Sequence, residues 1–204
     1  MTPILPAQTP EAHEAAARAL AAGGLVVLPT DTIYGIAGRL DRTDALKALF
    51  VAKGRPPDLA LPVLVASARD AGLLGVFSPA ADALAAAWWP GALTMVVPRR
   101  PGLAAPLGGD EATIGLRVPA LAATRTLLER TGPLATTSAN RSGAPTPGEI
   151  GAIVAVFGEA VAVYLDGGPA PGGLGSTVVS LVGGQPVVLR EGALPGVEVL
   201  SALA

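Results

Sequence analysis

Apolar positions along the chain fall into two kinds of run. Short, largely apolar stretches at Leu25–Leu28, Leu61–Ala66, Leu93–Val97, Leu134–Thr137 and Val161–Leu165 are bounded by turn residues and predict buried strands. Thr113–Pro119 alternates instead, which puts Thr113, Gly115 and Arg117 on one face. Ser176–Leu181 and Pro186–Leu189, separated by Gly183-Gly184, predict a hairpin whose second strand ends in Arg190. Between these runs lie Ala/Leu-rich segments with helical spacing. The first spans Pro10–Ala22, opened by Thr9-Pro10-Glu11 and stopped by Gly23-Gly24. The second spans Asp41–Ala52 and carries Leu46, Leu49 and Phe50. Two more start at Ser67 and at Ser78-Pro79, the latter ending at Trp88-Trp89-Pro90-Gly91; the last two span Ala120–Thr131 and Thr146–Phe157. Strands alternating with helices predict an α/β fold in one domain. Two Pro/Gly-rich segments interrupt the pattern, Pro98–Asp110 and Pro169–Gly175. The first has the length of a flexible cover or a disordered excursion.

Composition changes this picture in a few places. Half of the 204 residues are apolar but only 3% are aromatic, so the core is built from Ala, Val, Leu and Ile. Mean hydropathy is +0.53, yet no uninterrupted apolar run approaches the roughly 18 residues of a membrane span. The N-terminus lacks a basic region followed by an apolar core, so no export signal is read and a cytoplasmic location is expected. There are no cysteines, which removes disulfides, zinc–thiolate sites and thiol catalysis. The one histidine, His13, lies on a surface-like helix and is expected to be solvated, leaving no basis for a Ser-His-Asp triad or a multi-histidine metal site. The net charge of −2 and pI near 5.4 argue against a surface that clamps nucleic acid but leave room for a local basic cleft.

Candidate chemistry gathers at the ends of the predicted elements. Lysine occurs only at Lys47 and Lys53, and Lys53-Gly54-Arg55-Pro56 places two long cations one residue apart at the end of a helix. That corner suits an anion grip; capping of the helix dipole is the alternative. Thr30, Asp31 and Thr32 follow one strand, and Ser138, Asn140 and Ser142 follow another. In α/β sheets, ligands bind outside the carboxyl ends of strands. Lys53, Arg55, Arg117 and Arg190, with Thr30, Thr32, Ser138, Asn140 and Ser176, form a set suited to an anionic, oxygen-rich ligand. Neither G-x-x-x-x-G-K-[ST] nor G-x-G-x-x-G between a strand and a helix is present, so a nucleotide would be held by scattered side chains. These residues alone point to an anion-binding α/β enzyme or binding protein.

Six blocks carry a resemblance: Leu28-Pro-Thr-Asp-Thr-Ile-Tyr-Gly35, Ala52-Lys-Gly-Arg-Pro56, Trp89-Pro-Gly91 with Leu93-Thr94, Gly115-Leu-Arg-Val-Pro119, Thr137-Ser-Ala-Asn140 with Ser142-Gly143, and Gly175-Ser-Thr-Val178. In order and spacing they resemble the YrdC/Sua5 family over about residues 25–190. The resemblance implies one domain over residues 1–204 with a short tail from 191, and a twisted mixed sheet with flanking helices around a central ligand cavity. It looks like the short form without a further C-terminal domain. It also implies L-threonylcarbamoyladenylate synthesis from L-threonine, bicarbonate and ATP, with pyrophosphate released and the product used for t6A at tRNA position 37. By the same resemblance, Lys53, Arg55, Thr113, Asn140 and Arg190 contact ATP, with Lys53 and Arg55 as the catalytic pair. Thr30 or Thr32, Arg117, Ser138 and Ser176 surround threonine, Arg117 pairing with its carboxylate. Mg2+ would be held mainly by ATP phosphates rather than by protein side chains. The implied partners are a downstream t6A transferase complex and weakly bound tRNA, with no membrane. Leu59-Ala60, Leu64, Gly175 and Glu191 stand where members often have Asn-Pro or Lys-Pro, His, Glu and Pro, so those contacts do not transfer. The alternative is a double-stranded-RNA or tRNA-binding protein without adenylate-forming activity. A hydrogenase-maturation carbamoyltransferase is excluded by the short chain and the missing cysteines.

Overall fold

The structure, a computed structural model, describes residues 2–203. In chain order its elements are β1 (Ile4–Pro6), α1 (Pro10–Ala21), β2 (Val26–Leu28), β3 (Gly35–Arg39), α2 (Thr43–Lys53), β4 (Val63–Leu64), α3 (Ala68–Gly72), α4 (Pro79–Trp88), β5 (Leu93–Pro98), β6 (Thr113–Arg117), α5 (Ala122–Thr131), β7 (Leu134–Ser138), α6 (Ile150–Phe157), β8 (Val163–Asp166), β9 (Thr177–Ser180), β10 (Val187–Arg190) and α7 (Gly196–Ser201). The strands form one sheet in the order β1-β8-β2-β3-β7-β4-β6-β5-β9-β10. The sheet is mixed: β2, β3, β7 and β4 run antiparallel to their neighbours in that series, whereas β4 pairs parallel with β6 and β5 with β9. The predicted hairpin is present, with β9 and β10 antiparallel.

Helix starts follow the sequence signals. The hydroxyls of Thr9, Ser67 and Ser78 accept from the backbone N–H groups of Ala12, Asp70 and Ala81, meeting donors that the first helical turn leaves open. At the end of α2, Gly54 adopts φ +63°, a left-handed cap that reverses the chain between Lys53 and Arg55. Helix α6 starts at Ile150 rather than Thr146, and the preceding segment is held instead by Asn140. Its Nδ2 donates to Ala144 O, and Thr146 Oγ1 donates to Asn140 Oδ1 at 3.1 Å.

Helices cover both faces. Helices α1 and α5 pack Ala12, Ala16, Leu20, Leu127 and Leu128 against Val26, Leu28, Ala37, Leu64 and Leu134. The opposite face, with Val27, Ile36, Val63 and Ala135, is covered by Leu46 and Leu49 of α2, Leu84 of α4 and Ile153 and Phe157 of α6.

Several expectations are corrected. Strands β1 and β3 and helix α7 carry no clear sequence signal. Gly35 and Gly38 conceal β3, although its closeness to β7 requires glycine. A Cβ on Gly35 would lie 2.8 Å from the Thr136 methyl. Residues 191–203 are not merely a tail, since α7 buries Val199 and packs against α4. The segment Pro98–Asp110 is no excursion: Arg99 Nη2 donates to Leu103 O and Ala105 O, while Leu61 N donates to Leu107 O at 2.8 Å.

His13 is also corrected. It is 5% exposed, and its Nε2 donates to Ala7 O at 2.8 Å, tying α1 to the end of β1. Replacing His13 by alanine leaves that carbonyl without its partner and is expected to lower unfolding free energy by about 1–3 kcal/mol, measured by urea denaturation.

Candidate functional site

A cavity of about 80 Å3 lies on the sheet face that α1 and α5 leave bare. Side chains two residues apart on a strand share a face, so Thr136 and Ser138 continue the row that starts with Leu134 under the helices. Pro62 and Leu64 at β4, Thr94 of β5, Arg117 of β6 and Thr136 and Ser138 of β7 supply the floor. Thr30 and Thr32 from the β2–β3 loop form one wall; Ser176 and Arg190 from the β9–β10 edge form another. Ligand space therefore lies over the face of the sheet, not beyond its strand ends as the sequence pattern suggests. The short β4 and the small residues Gly35 and Gly175 leave room for it.

Hydroxyl groups in the wall are wired in one direction. Arg117 Nη1 donates to Thr32 Oγ1 at 3.0 Å, and Thr30 Oγ1 donates to Ile33 O at 2.7 Å. With the Thr30 proton so used, the 3.0 Å contact between the two hydroxyls must run from Thr32 to Thr30. Thr94 and Ser176 form a second pair at 2.7 Å across the β5–β9 seam.

Arg117 is the buried cation of the cavity, 5% exposed. Its Nε donates to Gly91 O at 2.9 Å, so the Trp89-Pro90-Gly91 turn holds the guanidinium as well as packing: Trp89 Nε1 donates to Leu93 O and its ring meets Phe77 edge-on at 6.1 Å. Nη2 lies 2.9 Å from Asp31 Oδ1 in a buried ion pair and is itself closed off from solvent. Burial pulls the Arg117 pKa down; Asp31 opposes this and Arg190 adds to it.

Lys53 and Asn140 come together behind this floor rather than among the cavity-lining residues. Lys53 Nζ donates to Ser138 O at 2.6 Å, Ser138 Oγ at 2.9 Å and Asn140 Oδ1 at 2.6 Å. All three ammonium protons are thus engaged, and the amide of Asn140 is spent on Arg141 O and Ala144 O. In this arrangement the two side chains brace the turn that carries Ser138. Burial, then the charge of Arg55, lowers the Lys53 pKa to about 8. Arg55 donates to Leu59 O and Ala60 O, and Arg190 donates to Ser176 O at 2.7 Å. Burial and then Arg190 lower the Arg55 pKa. Thr113 lies at the start of β6 in the same row as Arg117 but outside the cavity lining, its hydroxyl donating to Asp110 O. Lys53, Arg55, Arg117 and Arg190 thus sit close enough to disfavour one another's charge, the condition under which an anion is drawn in.

Sequence reasoning assigned no role to Thr94, Thr136, Pro62, Leu64, Gly35 or Asp31. Thr94 and Gly35 lie within the six motif blocks, and Asp31 lies within a polar cluster; Pro62, Leu64 and Thr136 look like ordinary strand residues. Among the described residues no three His, Cys, Asp or Glu side chains gather to hold a metal ion, and no helix is long and apolar enough to cross a membrane.

The Sua5/YciO/YrdC family model, described as "Telomere recombination", matches residues 18–192. The chain belongs to this family. It is similar to a putative threonylcarbamoyl-AMP synthase of Mycobacterium tuberculosis, 41% identical over 188 residues, 92% of this chain and 87% of that one. The threonylcarbamoyl-AMP synthase of Bacillus subtilis is 34% identical over 95% of this chain and 57% of its own. Among solved structures, Pyrococcus abyssi Sua5 complexed with L-threonine superposes with TM-score 0.92 at 33% identity, over the whole of this chain but 61% of that one. This family member thus spans less than two thirds of the Pyrococcus protein. Escherichia coli YciO, at TM-score 0.87 and 23% identity, shares the fold.

Proposed function

We propose that this chain is an L-threonylcarbamoyladenylate synthase, converting L-threonine, bicarbonate and ATP into threonylcarbamoyl-AMP and pyrophosphate. One observation carries the reading. Arg190 and the buried Arg117 line a hydroxyl-bearing cavity, and Arg55 and Lys53 complete a chain of cations close enough to lower one another's pKa, so a carboxylate site adjoins a polyphosphate site. Relatives named for this activity, and one solved with L-threonine, support it.

The chemistry fits these residues. The threonine amine adds to CO2 derived from bicarbonate to give a carbamate. A carbamate oxygen then bonds to the α-phosphorus while the bond to the β-phosphate oxygen breaks and pyrophosphate leaves. Such transfer depends on positioning and charge stabilisation rather than on a side-chain nucleophile. Arg117 grips the threonine carboxylate, and Ser138, Ser176 and the Thr30–Thr32 pair define its surroundings. Arg55 and Arg190 face the polyphosphate with Thr113 nearby. Lys53 acts through its charge and, with Asn140, through its hold on Ser138. Mg2+ enters with ATP, held by the phosphates. The product passes to a t6A transferase complex acting on tRNA in the cytoplasm. The RNA-binding alternative calls for exposed cations, whereas Lys53 and Arg117 are 3% and 5% exposed.

Incubation with ATP, Mg2+, bicarbonate and single amino acids, followed by mass spectrometry, tests the function; absence of a threonine-dependent adenylate overturns it. A pH effect should accompany it. With the Lys53 pKa at about 8, raising pH through that value removes its charge and weakens ATP binding, read by calorimetry. The folded value lies below the ordinary 10.5, so between the two the unfolded chain binds more protons, and the ligand-free fold gains stability as pH rises. Affinity and stability thus move in opposite directions across this window.

A further inference from the structure

We propose that Asp31 is a positioning residue, reaching Arg117 from outside the cavity to balance and aim its guanidinium, and so setting the affinity for the substrate carboxylate. The proposal rests on the function proposed above. Asp31 does not line the ligand cavity; it lines a separate hollow behind the Thr30–Tyr34 wall. Its carboxylate is fixed from two sides, with Oδ1 accepting from Ala120 N at 2.8 Å and lying 2.9 Å from Arg117 Nη2. Among the described residues it is the only acid in an ion pair with one of the four site cations.

The geometry separates charge from hydrogen bonding. A guanidinium buried this deeply without a counter-charge is strongly disfavoured and would be drawn from its place. Asp31 supplies that charge at 2.9 Å from Nη2, an atom closed off from solvent. Meanwhile Gly91 O and Thr32 Oγ1 fix Nε and Nη1. A ligand carboxylate entering the cavity therefore meets a guanidinium whose charge is balanced and whose plane is already fixed from behind.

Calorimetric titration of the full chain with L-threonine and, separately, with a non-hydrolysable ATP analogue tests this. Asp31→Ala is expected to weaken threonine binding by about tenfold or more, as loss of a charged contact does, and to change the analogue's affinity by less than about twofold. Asp31→Asn keeps an acceptor for Ala120 N–H while removing the charge, so it decides the matter if the alanine variant does not fold; it too is expected to lose threonine affinity. Adding Arg117→Ala to either variant should cost no more than Arg117→Ala alone, because the effect passes through that guanidinium. Unchanged threonine affinity in the folded variants, equal losses for both ligands, or additive losses in the double variant would each overturn the proposal while leaving the function standing. Absence of threonine binding and adenylate formation by the wild-type chain would overturn both.

Discussion

Lys53→Ala is expected to reduce threonine-dependent adenylate formation by about tenfold or more, through loss of its charge near the polyphosphate and of its hold on Ser138. It should also loosen the fold, unlike removal of a surface cation. Lys53 is 3% exposed and donates to three acceptors on the turn from Ser138 to Asn140. Leaving buried acceptors without a partner costs about 1–3 kcal/mol for each group stranded. Lys53→Arg should not restore activity, because a planar fork cannot replace three protons diverging from one nitrogen. Product yield by mass spectrometry, together with urea denaturation, separates the two effects. Full turnover with an unchanged denaturation midpoint would contradict both.

Arg117→Ala is expected to raise the threonine KM by more than tenfold and to destabilise the chain. Removing one member of a buried ion pair costs about 3–5 kcal/mol, and the lower end applies here because the Asp31 side chain is still 17% exposed. The same change breaks the hydroxyl wiring, since Thr32 loses its donor and the Thr32-to-Thr30 direction is no longer imposed. Steady-state kinetics with threonine varied at saturating ATP reads the first effect, and denaturation the second. A threonine KM like that of the unmodified chain would remove Arg117 from the carboxylate site.

The cations at element ends were legible in the sequence because long charged side chains are conspicuous in a chain with only 15% charged residues. So were the buried strands and most helix starts, which depend on local spacing and on a single hydroxyl at each cap. Strand β3 was not, because Gly35 and Gly38 weaken its local strand signal and are explained only by the close approach of β7 and α2. His13 looked like a surface residue until β1, itself unsignalled, supplied the Ala7 carbonyl. The cavity's position over a sheet face was hidden too, since it depends on where α1 and α5 stop. Likewise, Lys53 showed its charge in the sequence, but its three acceptors come from residues 85 and 87 positions away.

Those spans have a kinetic meaning. Lys53 to Asn140, Arg117 to Thr32 and Thr94 to Ser176 are separated by 87, 85 and 82 residues, so each buried polar contact closes a very long loop. Contacts of that kind form late and add little until the whole sheet is assembled. Threonine and ATP consequently have nothing to grip on a half-folded chain. They can reward only the finished one, making ligand-induced protection from proteolysis a readout of complete assembly rather than of any single segment.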